Sequence, residues 1–308
     1  MTEEKLLDKA ICSLENYPGY AKLIEKYYLA LSNALDKSFL SDLINGSGEQ
    51  KKQHLAELYI AFILHHHLGL SIDNVKPKTR GRGPDFFLSG CKTHIEVTCP
   101  SVNLNDPRFQ TTEIINARSK LTTRNAQQKE HSLSVLTGVL SEENGNKLKQ
   151  LSKIEADESA FVAISYQGLL EFPLEFVDNE PFPSYVRAFL PINNFPTFNI
   201  KSMREEHVFN DKIKKQKVDG NCVEIEKVNL WKKADEKNIL GVILFNHNFD
   251  NNMQWLEKNA RFDVIINPFA NLNAAQIKKF LRPINGVNLH CVIYHWKIDS
   301  EDIKIARL

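Results

Sequence analysis

The sequence predicts an α/β fold, a sheet covered by helices on both faces. Three observations predict it. Short apolar runs, Ala160 to Tyr166, Ile239 to Asn246, Phe262 to Ile266 and Leu289 to Trp296, have the length of buried strands. Stretches of helical period alternate with them, as in α/β proteins. The 308 residues, 42% apolar and 25% charged, suffice for a sizeable core.

The first elements are helical. Leu6, Leu7, Ala10, Ile11 and Leu14 fall at helical spacing, as do Leu23, Ile24, Tyr27, Tyr28 and Leu31, with Pro18-Gly19 between the two sets. Residues 2–45 therefore read as two or three helices. They form an N-terminal extension over 1–45, packed on a main domain of 46–308. Asn45-Gly46-Ser47-Gly48 makes a break, and residues 49–68 carry the strongest helical pattern, with Gly69 as its C-cap.

Glu57 is the odd member of that helix, on one stripe with Ala61, Leu64 and Leu68. Either it is partly buried and needs a partner, a metal or a proton, or it sits in the first turns, open to water, and favours the helix N-terminus. His65, His66 and His67 end the helix. Three consecutive helical residues fan over roughly 200° and cannot converge on one ion. As cations they would complement the helix dipole.

Residues 70–82 contain Lys76, Lys78, Arg80 and Arg82, a cation at every second position. Such a run is by default a solvated loop, and beside acids it suits phosphate contact. Residues 83–98 read as a β-hairpin. Gly83-Pro84 leads into Phe86 to Leu88, and Ser89-Gly90 leads into His94 to Cys99. Alternation puts His94, Glu96 and Thr98 on one face and Ile95, Val97 and Cys99 on the other. Asp85 opens the first strand.

Asp106-Pro107 is a helix start, and the helix is expected to run to about Lys129. Ile114, Ile115, Leu121 and Ala126 would pack on the core; Arg118, Thr122, Asn125 and Gln128 would face the hairpin. Residues 133–152 read as another helix. Residues 168–200 read as irregular, with a short helix near Tyr185 to Leu190. Residues 201–237, with Lys212, Lys214, Lys215 and Lys217, read as a solvated charged segment, and Ala274 to Leu281 as a helix.

Whole-chain numbers narrow the function. The net charge of +1 gives no global attraction to nucleic acid, so any basic surface is local. The cysteines are Cys12, Cys91, Cys99, Cys222 and Cys291, an odd set without a C-x-x-C pair. They read as reduced, buried thiols of a cytoplasmic protein. The first residues lack the pattern of a signal peptide. No apolar run approaches the length of about 20 residues that spans a bilayer.

Two acids across a hairpin, with a third on a preceding helix, suit a hard divalent cation. Mg²⁺ or Mn²⁺ would take Asp85, Glu96 and the Val97 carbonyl as ligands, with Glu57 direct or through water. Such a metal activates water and stabilises charge on a phosphodiester. By itself the spacing of Asp85 and Glu96 is weak, because any surface hairpin can carry it.

The order of motifs adds specificity. Glu57-Leu58-Tyr59 on a helix, Gly83-Pro84-Asp85-Phe86 opening a strand and Ile95-Glu96-Val97-Thr98 in the next resemble the PD-(D/E)XK nuclease superfamily, and within it a set of bacterial proteins. In these, a helix with Arg and Gln follows, as Arg118 and Gln127 or Gln128 would here, and a late strand ends in Asn-Pro-x-Ala, as Asn267 to Ala270 does. The resemblance spans roughly residues 50–297 and is dense over 55–130.

It implies a restriction-endonuclease-like domain over 46–308, a mixed central sheet flanked by helices. It also implies metal-dependent hydrolysis of DNA or RNA, with Asp85, Glu96, Thr98 and Glu57 catalytic. Lys78, Arg80, Arg82, Arg118 and Gln128 would bind substrate. The superfamily pattern ends in Lys two residues after the Glu, where this chain has Thr98. That Lys would orient the attacking water and offset charge. Lys92, Arg118, Lys120 or a cation of 76–82 would have to replace it, or the metal would act alone. The alternative is a degenerate site, leaving a module that binds nucleic acid or protein. A homodimer, through residues 1–45, is compatible with either.

Overall fold

Three helices, α1 (Glu3–Cys12), α2 (Pro18–Leu31) and α3 (Phe39–Asn45), open the chain in the computed structural model. The structure describes residues 2–74, 84–100, 112–116, 119–123, 126–141, 151, 154–166, 169, 184–192, 197–199, 204–206, 209–216, 221–247, 253–272, 274–284, 286–296 and 303–307. Pro18 sits in the first turn of α2, where its missing N–H costs nothing. Ala10, Leu14, Leu23, Ile24, Leu31 and Leu43 pack into the same core as the next helix, so the N-terminal helices join the main body.

Ser47 starts α4 (Gly48–Phe62) with a capping box. Its hydroxyl accepts from the Gln50 N–H, and Gln50 Oε1 accepts from the Ser47 N–H. The helix ends in a π-helical turn, Ile63–His67, and Gly69 closes it at φ +61°. His67 is fully buried, and burial pushes its imidazole down to about 4. It is therefore neutral and does not act as the dipole-complementing cation that the sequence suggested. His66 stacks on Phe62 and is also held below the usual range by burial.

The strands follow: β1 (Asp73–Asn74), β2 (Phe86–Leu88), β3 (Thr93–Thr98) and the separate hairpin β4 (Thr112–Asn116) and β5 (Ser119–Thr123). Helix α5 (Ala126–Gly138) precedes β6 (Ser159–Ser165) and α6 (Ser184–Arg187). Two more hairpins are β7 (Thr197–Asn199) with β8 (Arg204–Glu206), and β9 (Lys212–Gln216) with β10 (Cys222–Glu226). The chain continues through α7 (Lys227–Asp235), β11 (Ile239–Phe245), α8 (Met253–Leu256), β12 (Asn259–Ile266), α9 (Ala274–Phe280), β13 (Asn288–Trp296) and β14 (Ile303–Arg307).

The central sheet has eight strands in the order β1-β2-β3-β6-β11-β12-β13-β14. It is mixed. The β3–β6, β6–β11 and β12–β13 pairs are parallel, and the others are antiparallel. One face carries α1 to α4, α8 and α9; the other carries α5, α6 and α7. The expected α/β sheet covered on both faces is present. At Gly241 a Cβ would lie 2.4 Å from the Ile265 carbonyl oxygen, so only glycine lets β11 and β12 meet there.

Three expectations are corrected. Thr112–Asn116 and Ser119–Thr123 pair as antiparallel strands β4 and β5 instead of forming the middle of a helix running from 106 to 129. Helix α5 starts at Ala126 and ends at Gly138, inside the expected 133–152 helix; Leu151 is also helical, and residues 142–150 lie outside the described residues. Residues 201–237 are not simply solvated, because Ile213, Lys227, Leu230, Trp231 and Ala234 are buried. The five thiols are free, but Cys12, Cys91 and Cys222 are exposed and only Cys291 is buried. No described helix is long and apolar enough to cross a membrane.

Candidate metal centre at the edge of the third strand

Strand β3 is buried along its whole length. Ile95 and Val97 face the core built with α4. His94, Glu96 and Thr98 face the opposite side, paired in register with Ala160, Val162 and Ile164 of β6. The polar face is therefore enclosed: His94 is 5% exposed, Glu96 0% and Thr98 7%. Enclosed polar groups need partners. His94 Nε2 lies 2.7 Å from Glu158 Oε2, and Phe87 packs against its ring.

Strand β2 pairs with β3 only as far as Phe86 opposite Ile95. Asp85 directly precedes this last paired residue, in a bend outside the ladder. Beyond Ile95 the outer edge of β3 has no strand partner among the described residues, and side chains bond its backbone groups. The Val97 N–H donates to Asp85 Oδ2 at 2.7 Å. Gln53 Nε2 donates to the Val97 carbonyl at 3.0 Å, and the Cys99 N–H donates to Gln53 Oε1 at 2.8 Å. Gln53 thus brackets Thr98 as a neighbouring strand would.

Gln53 also reaches Glu57, one helical turn on. Its Nε2 donates to Glu57 Oε1 at 3.0 Å, while His54 Nδ1 lies 3.3 Å from Glu57 Oε2. Glu57 is 6% exposed, so it is the buried member of α4 and not a frayed one. His54 is in turn within 4.0 Å of Asp42 Oδ2. The Val97 peptide therefore lies between Asp85 and the Gln53–Glu57 pair, with the Glu96 side chain next to it in sequence.

Carboxylates and a backbone carbonyl are the hard oxygen donors that Mg²⁺ or Mn²⁺ prefers. The Val97 carbonyl accepts from Gln53. Among the described residues no group of three or more His, Cys, Asp or Glu side chains surrounds one metal position. Asp85, Glu96 and the Val97 carbonyl are the oxygen donors that the sequence reading names for such an ion, and Glu57 is tied to Gln53 and His54.

Of the expected cations, the structure describes the side chain of Lys92. Lys92 is exposed at the start of β3 and pairs with Asp157. Lys78, Arg80, Arg82 and Arg118 lie outside the described residues, and only the backbones of Lys120, Gln127 and Gln128 are described. Asn267, of the late Asn-Pro-x-Ala stretch, is fully buried and donates through Nδ2 to the Ile239 carbonyl at 2.8 Å, a structural role. Sequence reasoning missed Gln53 and His54. Their spacing to Glu57, four and three residues on one helix, is the signal that marks them as neighbours.

The chain matches no protein-family model, no curated protein and no solved structure.

Proposed function

We propose that the protein is a divalent-metal-dependent nuclease that hydrolyses phosphodiester bonds of DNA or RNA on a restriction-endonuclease-like domain. The observation that supports this best is the open edge of β3. There Asp85 and the Gln53–Glu57 pair converge on the Val97 peptide beside Glu96. A bound Mg²⁺ or Mn²⁺ would supply an activated water and neutralise developing charge. The chain's own residues do the positioning. Asp85 is fixed by the Val97 N–H, Gln53 fixes the Val97 carbonyl and Glu57, and the Thr98 hydroxyl can hold a water by hydrogen bonds. A cytoplasmic location, a nucleic-acid partner and a homodimer belong to the same reading.

The test joins calorimetry to cleavage. Mn²⁺ should bind the purified chain, and plasmid or RNA should be cut only with metal. Asp85→Ala should abolish both. Absent metal binding, or cleavage that survives Asp85→Ala, would end the reading.

A second reading, a non-catalytic module that binds nucleic acid or protein, draws on Thr98 in place of a cation and on Glu57 already engaged by Gln53 and His54. Metal-dependent cleavage lost in Glu96→Gln would dispose of it.

A further inference from the structure

The pairing across the sheet carries one row of residues from β3 to β12. Thr98 lies beside Ile164, Ile164 beside Leu244, and Leu244 opposite Asp263. Paired residues share a face, so Asp263 stands on the same face as Thr98, three strands and about 14 Å away. Strand β12 runs against β11. Arg261 therefore lies two residues from Asp263 toward the carboxyl end of β11, again on that face. Open α/β sheets take ligands at the carboxyl ends of their strands.

Asp263 is 1% exposed and is held on both oxygens. The Tyr185 hydroxyl donates to Oδ2 at 2.9 Å, and the Tyr294 hydroxyl donates to Oδ1 at 3.3 Å. Tyr166, the residue after β6, stacks on Tyr185 with ring centroids 4.3 Å apart. This packed carboxylate supports Arg261. Its Oδ2 is 3.8 Å from the Arg261 Nε, an ion-pair distance beyond hydrogen-bond reach. Among the described residues Arg261 finds no hydrogen-bond acceptor, although its Nε is buried. The side chain as a whole is 41% exposed. His290 of β13 is paired with Arg261 in register, on the same face, and is exposed.

A guanidinium held from behind by a buried carboxylate, with an imidazole beside it, suits an oxyanion. The planar fork of arginine matches phosphate with two parallel N–H bonds. The carboxylates of an acidic peptide could meet the same groups. The row back to Thr98 favours phosphate, because a few nucleotides of backbone cover the distance between Arg261 and the acidic edge.

We propose that Arg261, with His290 beside it, contacts a backbone phosphate of a nucleic-acid strand laid across the carboxyl edge of the sheet from β3 to β12. The choice of nucleic acid rests on the nuclease reading. Arg261 and His290 then hold the strand a few nucleotides from the bond that is cut.

The experiment uses the full chain and a short, fluorescently labelled single-stranded DNA in Ca²⁺, with anisotropy read across a salt series. The chain should bind the DNA. Arg261→Gln should weaken binding by about tenfold. It should also lower the slope of log affinity against log salt by about 0.7, the share of one phosphate contact on a single strand. Arg261→Lys should keep the slope and lose part of the affinity, since a point charge replaces the fork. His290→Glu sets a carboxylate beside Arg261 and should weaken binding by a similar factor. Its position is exposed, so it tests the contact even if Arg261→Gln fails to fold.

Unchanged affinity and slope in these variants overturn the contact, and Mn²⁺-dependent cleavage by the same variants would leave the nuclease reading standing. A chain that does not bind the DNA also overturns the contact. So does poly-glutamate that binds through Arg261 more tightly than the DNA, which would assign the surface to an acidic protein. Binding to DNA that depends on Arg261, with no cleavage in Mn²⁺, sustains the contact and ends the nuclease reading.

Discussion

The Val97 N–H donates to Asp85 Oδ2 at 2.7 Å, in a place where Asp85 is 5% exposed. A carboxylate so placed both completes the strand and is fixed by it. Asp85→Ala should cost about 1–3 kcal/mol of stability, since it orphans a buried N–H. Asp85→Asn keeps an acceptor and should cost less. Urea midpoints at neutral pH separate the two.

Gln53 satisfies two backbone groups of β3 and one oxygen of Glu57. Gln53→Ala should destabilise the chain by on the order of 2 kcal/mol. It should also weaken Mn²⁺ binding, because the Val97 carbonyl loses its orientation. Gln53→Glu should be worse than Gln53→Ala near neutral pH, as it sets a second carboxylate against Glu57 and the Val97 carbonyl. Thermal unfolding with and without Mn²⁺ tests both statements.

Burial pushes His67 down to about 4 and His247 to about 3 from an ordinary 6.5. Below pH 6.5 the unfolded chain then binds more protons at both sites. Stability is therefore complete above pH 6.5 and falls as the pH drops toward 4 and 3. His67→Phe removes one of these sites. Between pH 7.5 and 4.5 the variant should lose on the order of 1 kcal/mol less than the wild type. Equal losses in denaturant titrations would show that His67 stays solvated.

Lys227 is fully buried, with Nζ donating to the Ile192 carbonyl at 2.8 Å. Burial pushes its ammonium from 10.5 to about 7. Between these values the unfolded chain holds a proton that the folded chain lacks, so stability should rise as the pH climbs from 7 toward 10. Lys227→Met should flatten that rise. Melting temperatures at pH 7 and pH 9 measure it.

Much of this architecture is legible in the residues. The runs at β6, β11, β12 and β13 are apolar and short, and buried central strands require that pattern. Glu57, Asp85 and Glu96 could be picked out because a carboxylate in an apolar context is costly. Their partners could not. Gln53 and His54 look like ordinary surface residues until the helix is laid on β3.

Two stretches misled for definite reasons. Asp106-Pro107 is a local helix signal, and it outweighed the β-branched Thr112, Ile114, Ile115, Thr122 and Thr123 that form the hairpin. In β9 and β10 the lysines and glutamates hide a period of two: Lys212 and Lys214 are exposed while Ile213 between them is buried. The charge count read as solvation, but the alternation had the last word.

The edge of β3 has one further consequence. A strand with bare N–H and C=O groups invites pairing with another chain. At Val97 and Cys99 those groups are occupied by Asp85 and Gln53. The two side chains that shape the acidic edge therefore also guard it against foreign strands. Removing either leaves a sticky seam, so solubility and site integrity rest on the same pair of residues.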